Sequence, residues 1–270
     1  MLKLIPRFVG DLWANRILLN QFISRNLELR HRGSYLGIIW AILNPLLLLC
    51  LYLLVFGYIF GGAFGVIPNE TPLDYGLGIF MGLSVFHFVS ESIAASVHAI
   101  SNNPSFVKKI VFPLPVLPAS EVGAALIHMI VSVILVLLGA LLTENKPTIL
   151  ALWLPIILCP LVFLQLGVGW ILSAIGVFVR DLSQMLQFVT MALLFSSAVF
   201  YPAAKIPEPA WQILKYNPYL VTVELSRNTA LWNIPPNWTQ IAYLYGVGIG
   251  VCVLGHWVFS KLKPAFAEVL

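Results

Sequence analysis

The sequence predicts an all-α, polytopic membrane protein. It would have six transmembrane helices, an N-terminal helix lying in the membrane interface and a re-entrant extracytoplasmic segment before the last span. Three observations predict this. First, residues 33–69, 122–143, 147–179, 182–204 and 228–260 contain no Asp, Glu, Lys or Arg. Each tract exceeds the ~20 helical residues needed to cross a ~30 Å hydrocarbon core, and a charge at mid-bilayer costs about 3 kcal/mol. Second, the chain of 270 residues is 60% hydrophobic and only 10% charged, with a mean hydropathy of +0.92. A soluble domain is excluded, because its surface would need charge every few positions. Third, the tracts are continuously apolar rather than alternating, which selects helices over barrel strands.

The elements follow in order. Residues 1–35 form a cytoplasmic segment without the long uncharged core of a signal peptide. Within it, Gln21, Arg25, Glu28 and Arg32 fall on one stripe at 100° per residue, and Phe8, Leu12, Leu19 and Ile23 on another. This helix reads either as a juxtamembrane anchor or as a basic surface for an anionic headgroup. The first span is placed at 36–60, with Pro45 expected to bend it. The second, 76–100, differs from the others in carrying Glu91. Prolines 113, 115 and 118 separate it from the third span, 119–142. The fourth, 150–179, begins irregularly at Pro155 and Pro160. Arg180–Asp181 turns the chain into the fifth, 182–201, and the sixth covers 240–262. The six spans make one transmembrane domain over 36–262, followed by a short cytoplasmic tail, 263–270.

Between the last two spans lie Trp211, Tyr216, Tyr219, Trp232 and Trp238. They suit an outer interface, on a surface loop or on a hairpin dipping into the bilayer. Orientation comes from the Lys/Arg count. With six spans, eleven basic residues fall on the side of both termini and four on the other, so both termini are expected in the cytoplasm.

The second span is the most informative. Ser84, His87, Glu91, Ala95, His98 and Asn102 share one side of it, while Phe86, Val89, Ile93, Val97 and Ile100 take the far, lipid side. Glu91 and His87, four residues apart, can hydrogen-bond. The stripe reads as a packed polar pair or as the lining of a water-filled path; a metal site lacks a third ligand at suitable spacing. Gly246, Gly248 and Gly250 in the last span, and Gly169, Ser173 and Gly176 in the fourth, read as close-packing surfaces. Cys50, Cys159 and Cys252 lie in apolar tracts with no CxxC, so neither disulfides nor zinc are expected. There is no GxxxxGK[ST], GxSxG, HExxH or paired-carboxylate cluster, and the chain is not expected to be an enzyme by itself.

Several segments resemble a known family. Residues 25–40, RNLELRHRGSYLGIIW, running into Asn44-Pro45, are similar to the basic leading helix and first span of ABC-2-type polysaccharide exporter permeases. His31 stands where that family carries an aromatic. Asn103-Pro104 through Lys108-Lys109 and Phe112-Pro113, then Phe178-Val179-Arg180-Asp181, then Asn217-Pro218 with Arg227, resemble later segments of the family in the same order. The resemblance implies the membrane subunit of an ATP-driven exporter of lipid-linked O-antigen, capsule or teichoic acid in the bacterial cytoplasmic (inner) membrane. It implies a homodimer with two copies of a separate ATPase. ATP and Mg would bind that partner, and this chain would bind no cofactor and no nucleic acid, only the glycan substrate and membrane lipid.

With few residues after the last span, no attached sugar-binding domain is expected. On this reading Phe106, Val107, Lys108 and Lys109 couple to the ATPase, with Phe106 as an apolar plug. Arg25, Arg30 and Arg32 receive the anionic end of the substrate. Trp40, Tyr52, Ser84, His87, Glu91 and His98 line the pore, the two aromatics by stacking on sugar faces. The alternatives are an ABC-2 exporter of a drug or lipid, a membrane-embedded glycosyl- or acyltransferase, whose acids could only be Glu70 and Asp74, and a scaffold without transport.

Overall fold

The structure, a computed structural model, describes residues 10, 12–31, 35–109, 112–144, 146–179 and 181–270. Every regular element among them is helical. Arg32, on the predicted leading segment, lies outside the described residues, as do the side chains of Arg30 and Lys109. The chain runs through α1 (Arg16–His31), α2 (Trp40–Tyr52), α3 (Pro72–His98), α4 (Pro104–Lys109), α5 (Val116–Ala140), α6 (Leu154–Gly176), α7 (Leu182–Ser196), α8 (Glu208–Leu214), α9 (Pro218–Ala230), α10 (Trp238–Leu262) and α11 (Phe266–Val269). Among the described residues, Trp40–Ile59, Pro72–His98, Val116–Ala140, Ile149–Gly176 and Trp238–Val269 are long and apolar enough to span a bilayer. α7 is the shorter apolar helix, and its 15 residues reach only ~22 Å at 1.5 Å per residue.

Local chemistry explains where these helices begin and change. Thr71 starts α3 with a reciprocal cap: its side chain accepts from the Asp74 backbone N–H while Asp74 accepts from the Thr71 N–H, and Pro72 takes the first helical position. Just before it, both oxygens of Glu70 accept backbone N–H bonds, from Phe64 at 2.9 Å and Gly65 at 2.8 Å. The loop's two carboxylates therefore close the loop and cap the helix. α2 retains Pro45 within it and then widens into a π-helix over Leu53–Ile59. That segment brings Gly57 against Pro72, where a Cβ would lie 2.6 Å from the Pro72 carbonyl oxygen.

α3 is the central helix, packed by α2, α5, α6, α7 and α9. This corrects the sequence expectation of a lipid-facing stripe. Val89, Ile93, Val97 and Ile100 are at most 4% exposed, because neighbouring helices rather than lipid cover that side. The glycine expectation for the last span also changes. Gly246 and Gly250 have open space around them; Gly248 and Gly255 make the close contacts, against Pro160 and Gly167 of α6. In α6 the expectation holds, since Gly169 and Gly176 lie against Ser96 and Val97 of α3.

The fifth predicted span ends early for a visible reason. α7 stops at Ser196, and the carbonyls of Ala198 and Val199 turn away to accept hydrogen bonds from Arg227. Arg227 lies on α9 with no solvent exposure. Its Nε donates to the Gly78 carbonyl at 2.7 Å, its Nη1 to Ala198 at 2.7 Å, and its Nη2 to Val199. Glu224 lies 3.5 Å from Nη1, and the guanidinium sits 4.5 Å above the Phe64 ring. One side chain thus joins α3, the end of α7, α9 and the 60–71 loop.

The segment before the last helix is a helical pair, α8 and α9. The expected aromatic belt is divided: Tyr216 and Trp238 are exposed, whereas Trp232 is buried against Phe64, with ring centroids 5.2 Å apart. The predicted tail, 263–270, folds back on the protein and buries Phe266 against Phe259.

Replacing Arg227 by Ala would remove the donor from the buried carbonyls of Ala198 and Val199, outside any helix, and from that of Gly78, and would strip Glu224 of its counter-charge. At about 1–3 kcal/mol per unsatisfied group, the variant should lose about 3 kcal/mol or more of stability. Thermal unfolding in detergent should show a clear drop in midpoint, with Arg227→Lys intermediate because an ammonium cannot reach all three acceptors. An unchanged midpoint in Arg227→Ala would remove the clamp from this account.

Candidate functional site

The polar residues of α3 open onto two cavities. One, of about 330 Å³, lies between α2, α3 and α5 and is lined by Trp40, Asn44, Ser84, His87, Glu91 and His128 among others. The second, of about 500 Å³, lies between α3 and α7 and includes His98, Ser183, Gln187 and Thr190. Ser90 and Glu91 line both. A polar seam therefore runs along one side of α3, with the Glu91 carboxylate where its halves meet.

Glu91 is oriented across the helix interface. The Nδ1 of His128, on α5, lies 3.0 Å from Oε1 and 3.3 Å from Oε2. The two side chains are 23% and 28% exposed, so the pair borders the cavity instead of being sealed in the core. The expected intrahelical partner, His87, is exposed on the wall of the same cavity. Around the pair, the hydroxyls donate within their own helices: Ser84 to Phe80 at 2.7 Å, Ser90 to His87 at 3.2 Å and Ser132 to His128 at 3.0 Å. Each hydroxyl oxygen keeps lone pairs for an incoming donor. The seam thus offers acceptors (serine oxygens, a carboxylate), amide groups (Asn44, Gln187) and one indole face (Trp40). That mixture suits a hydroxyl-rich ligand, which alternates donors with a flat apolar face.

The structure gathers five of the six predicted pore residues: Trp40, Ser84, His87 and Glu91 in the first cavity, and Glu91 with His98 in the second. Tyr52 lines neither. It stacks on Phe56 at 5.8 Å, which in turn stacks on Phe60 and Phe200. Sequence reasoning missed Asn44, His128, Ser132 and the α7 face formed by Ser183, Gln187 and Thr190. A signal existed, since 128/132 and 183/187/190 recur at helical spacing in otherwise apolar runs. Among the described residues no group of three or more His, Cys, Asp or Glu side chains could hold a metal ion.

Of the other predicted residues, Arg25, Phe106, Val107 and Lys108 lie away from the seam. Arg25 is on the exposed side of α1 beside Gln21 and Glu28, its guanidinium 5.3 Å above the Phe22 ring. Phe106 does not project from α4 as a free plug. It packs with Phe22 of α1 at 5.6 Å and with Phe112 at 4.7 Å. Lys108 donates to the Leu270 carbonyl at 2.7 Å, and Val107 packs on the same cluster.

The burial pattern gives a labelling test. With Cys50, Cys159 and Cys252 replaced, single cysteines at His87, Ala94 and Gln187 should react with a membrane-impermeant thiol reagent. Cysteines at Leu83 and Val89, both buried away from the two cavities, should stay at background, at least about tenfold slower, because packed interiors exclude the reagent. Equal rates in the two sets would make the seam a packing surface only.

Comparison with known proteins gives a consistent family. Residues 18–231 match the ABC-2 type transporter family. The chain is 30% identical over 254 residues to the O-antigen export system permease protein RfbA of Klebsiella pneumoniae, covering 94% of this chain and 95% of that protein. It is 27% identical to the protein of the same name from Myxococcus xanthus over 264 residues, 97% and 98% of the two chains. With the polysialic acid transport protein KpsM of Escherichia coli it shares 28% identity over 221 residues, 81% of this chain and 83% of the other. A helical, multi-pass chain with a polar seam along its central helix, matched in this way over most of its length, belongs to the ABC-2 type transporter family.

Proposed function

We propose that this chain is the membrane subunit of an ATP-driven polysaccharide exporter, carrying a lipid-linked glycan from the cytoplasmic side outward. The observation that carries the reading is the polar seam on α3, with its hydroxyl acceptors, amides, Glu91 and Trp40, in a chain of this family. Relatives named for O-antigen export and polysialic acid transport support the substrate class. A conduit for hydroxylated polymers needs many exchangeable hydrogen bonds and weak stacking, so that units bind and leave in turn.

In this reading two copies pair. The support is unpartnered apolar surface on the protomer: α7 has no buried residue, and only 11% of the Trp40–Ile59 window is buried. Pairing through these helices would turn the two seams toward each other. Two copies of a separate ATPase, holding ATP and Mg, dock at α4, where Phe106, Val107, Lys108 and Lys109 sit. Here Phe106 acts from inside, by holding α4 on the Phe22–Phe112 cluster, and the exposed positions Ser105 and Lys108 face the partner.

The six-span count is retained with α7 as a short crossing and α8–α9 as the re-entrant pair before α10. With these six crossings, eleven Lys and Arg fall on the side of both termini and four on the other, which orients both termini to the cytoplasm of a bacterial inner membrane. Arg25, with Arg30 and Arg32, receives the phosphate-bearing end of the substrate at the headgroup level, where guanidinium matches phosphate oxygens in pairs.

Two measurements test this reading. The permease, reconstituted with its ATPase, should hydrolyse ATP faster when a lipid-linked oligosaccharide is added. Changing Arg25, Arg30 and Arg32 together to Lys should weaken that stimulation about tenfold while basal hydrolysis persists, since charge stays but paired hydrogen bonding is lost. Absence of any stimulation by lipid-linked sugars in the wild type would refute the transport reading. Separately, Ser105→Trp with Lys108→Glu should lose co-purification of the ATPase while the permease still inserts; wild-type recovery would move the docking surface off α4.

A further inference from the structure

We infer that the seam selects the charge of the polymer, with Glu91 as the specificity-determining residue: it passes neutral or amino-sugar repeat units and disfavours acidic ones. This rests on the polysaccharide reading above and deepens it. Sequence similarity does not decide the point. The relatives include one named for polysialic acid, a polymer with a carboxylate on every unit, at an identity close to that of those named for O-antigen.

The argument begins with the charges present. Among the described residues lining the two cavities, Glu91 is the single Asp, Glu, Lys or Arg. It lines both cavities, so units passing from one to the other meet its carboxylate. The remaining titratable groups on the walls are imidazoles: His87 and His128 in the first cavity, His98 in the second. His128 bonds Glu91 through Nδ1 at 3.0 Å. That nitrogen is thereby engaged with the carboxylate already present.

Anion pathways are built the opposite way, with Arg or Lys along the wall. Fifteen such residues exist in this chain, and none of the described ones lines the seam. An acidic repeat unit would therefore lose its hydration beside a carboxylate, with no Lys or Arg among the described lining residues to offset that loss. A neutral unit faces no such cost. Its hydroxyls donate to Glu91 and to the serine oxygens, and bonds to an ionised acceptor are the stronger kind. An ammonium on an amino sugar would gain further from Glu91. The inference concerns the repeat units held in the seam; the single phosphate-bearing end belongs to the arginines of the leading segment.

The test uses permease in nanodiscs, with its three cysteines replaced and a fluorophore on Ala94→Cys, a position lining the second cavity. The probes are length-matched oligosaccharides: an oligoglucose, a chitosan oligomer and oligosialic acid, at about 0.15 M salt to suppress surface attraction. The oligoglucose and chitosan oligomer should bind at least about tenfold more tightly than oligosialic acid, the chitosan oligomer tightest, since like-charge juxtaposition is strongly penalised. Glu91→Gln should bring oligosialic acid within about threefold of the oligoglucose and remove the advantage of chitosan. Glu91→Asp, which keeps the charge, should keep the discrimination and so separates charge from folding. Equal affinities in the wild type, or an unchanged ratio in Glu91→Gln, would overturn the inference while leaving polysaccharide transport standing. Failure of all three probes to bind, together with no stimulation by lipid-linked sugars in the reconstituted complex, would overturn the transport reading and this inference with it.

Discussion

The buried guanidinium of Arg227 is the constraint on which the arrangement around α9 depends. A charge with no solvent exposure persists only when its donors are satisfied and a counter-charge is near. Both conditions are met: carbonyls from Gly78, Ala198 and Val199 accept its hydrogens, and Glu224 lies 3.5 Å away. Satisfying the cation requires α7 to end at Ser196, so that two carbonyls are released from helical bonding. It also requires α3 to approach without a side chain at Gly82, where a Cβ would lie 2.5 Å from Nη2. The shortness of α7, the seating of α9 and the position of the 60–71 loop, whose Phe64 ring lies under the guanidinium, follow from this one set of contacts.

That clamp fixes α3, and α3 positions the seam. The helix is almost fully packed on its apolar side, so its polar side cannot rotate inward and stays open to the two cavities. Glu91 and His128 hold each other across α3 and α5, which pins the carboxylate at the junction of the cavities rather than letting it turn toward lipid. α2 and α7 contribute the outer walls, and both are loosely held within the chain. The rigid and adaptable parts are thereby separated. α3, α5, α6 and α10 form a packed core with close glycine contacts between α6 and α10. The walls that face the seam from outside bury almost nothing, only Leu49 on α2 and no residue on α7. Such elements move at the lowest cost.

On the opposite face, α4 is joined to three separated parts of the chain. Phe22 and Phe112 surround Phe106, and Lys108 reaches the Leu270 carbonyl. Phe266 and Phe259 belong to the same apolar cluster. A push on α4 is therefore felt by α1 and α10 as well as by the helices it directly connects, because aromatic packing of this kind transmits displacement rather than absorbing it.

The sequence by itself determined the class of the molecule. Charge-free tracts near or above twenty residues have only one low-energy home, and their helicity follows from the need to satisfy the backbone without water. It also located the polar stripe of the second span, because His87, Glu91 and His98 recur at helical spacing, and five of the six predicted pore residues line the seam. The Thr71–Asp74 cap, though a local pattern, was not read from the sequence, which started this helix at residue 76 instead of Pro72. Tertiary structure decided what depends on partners distant in sequence. Glu91 meets His128, which is 37 residues away, and Arg227 meets Gly78, which is 149 residues away. The apolar side of α3 faces protein instead of lipid, and Tyr52 stacks on Phe56 instead of reaching the cavity. Inside a bilayer, lipid and a neighbouring helix are equally apolar, so hydrophobic periodicity reports that a face avoids water and not which of the two covers it. Only the packing of close surfaces and the pairing of the few buried polar groups make that choice, and both are long-range.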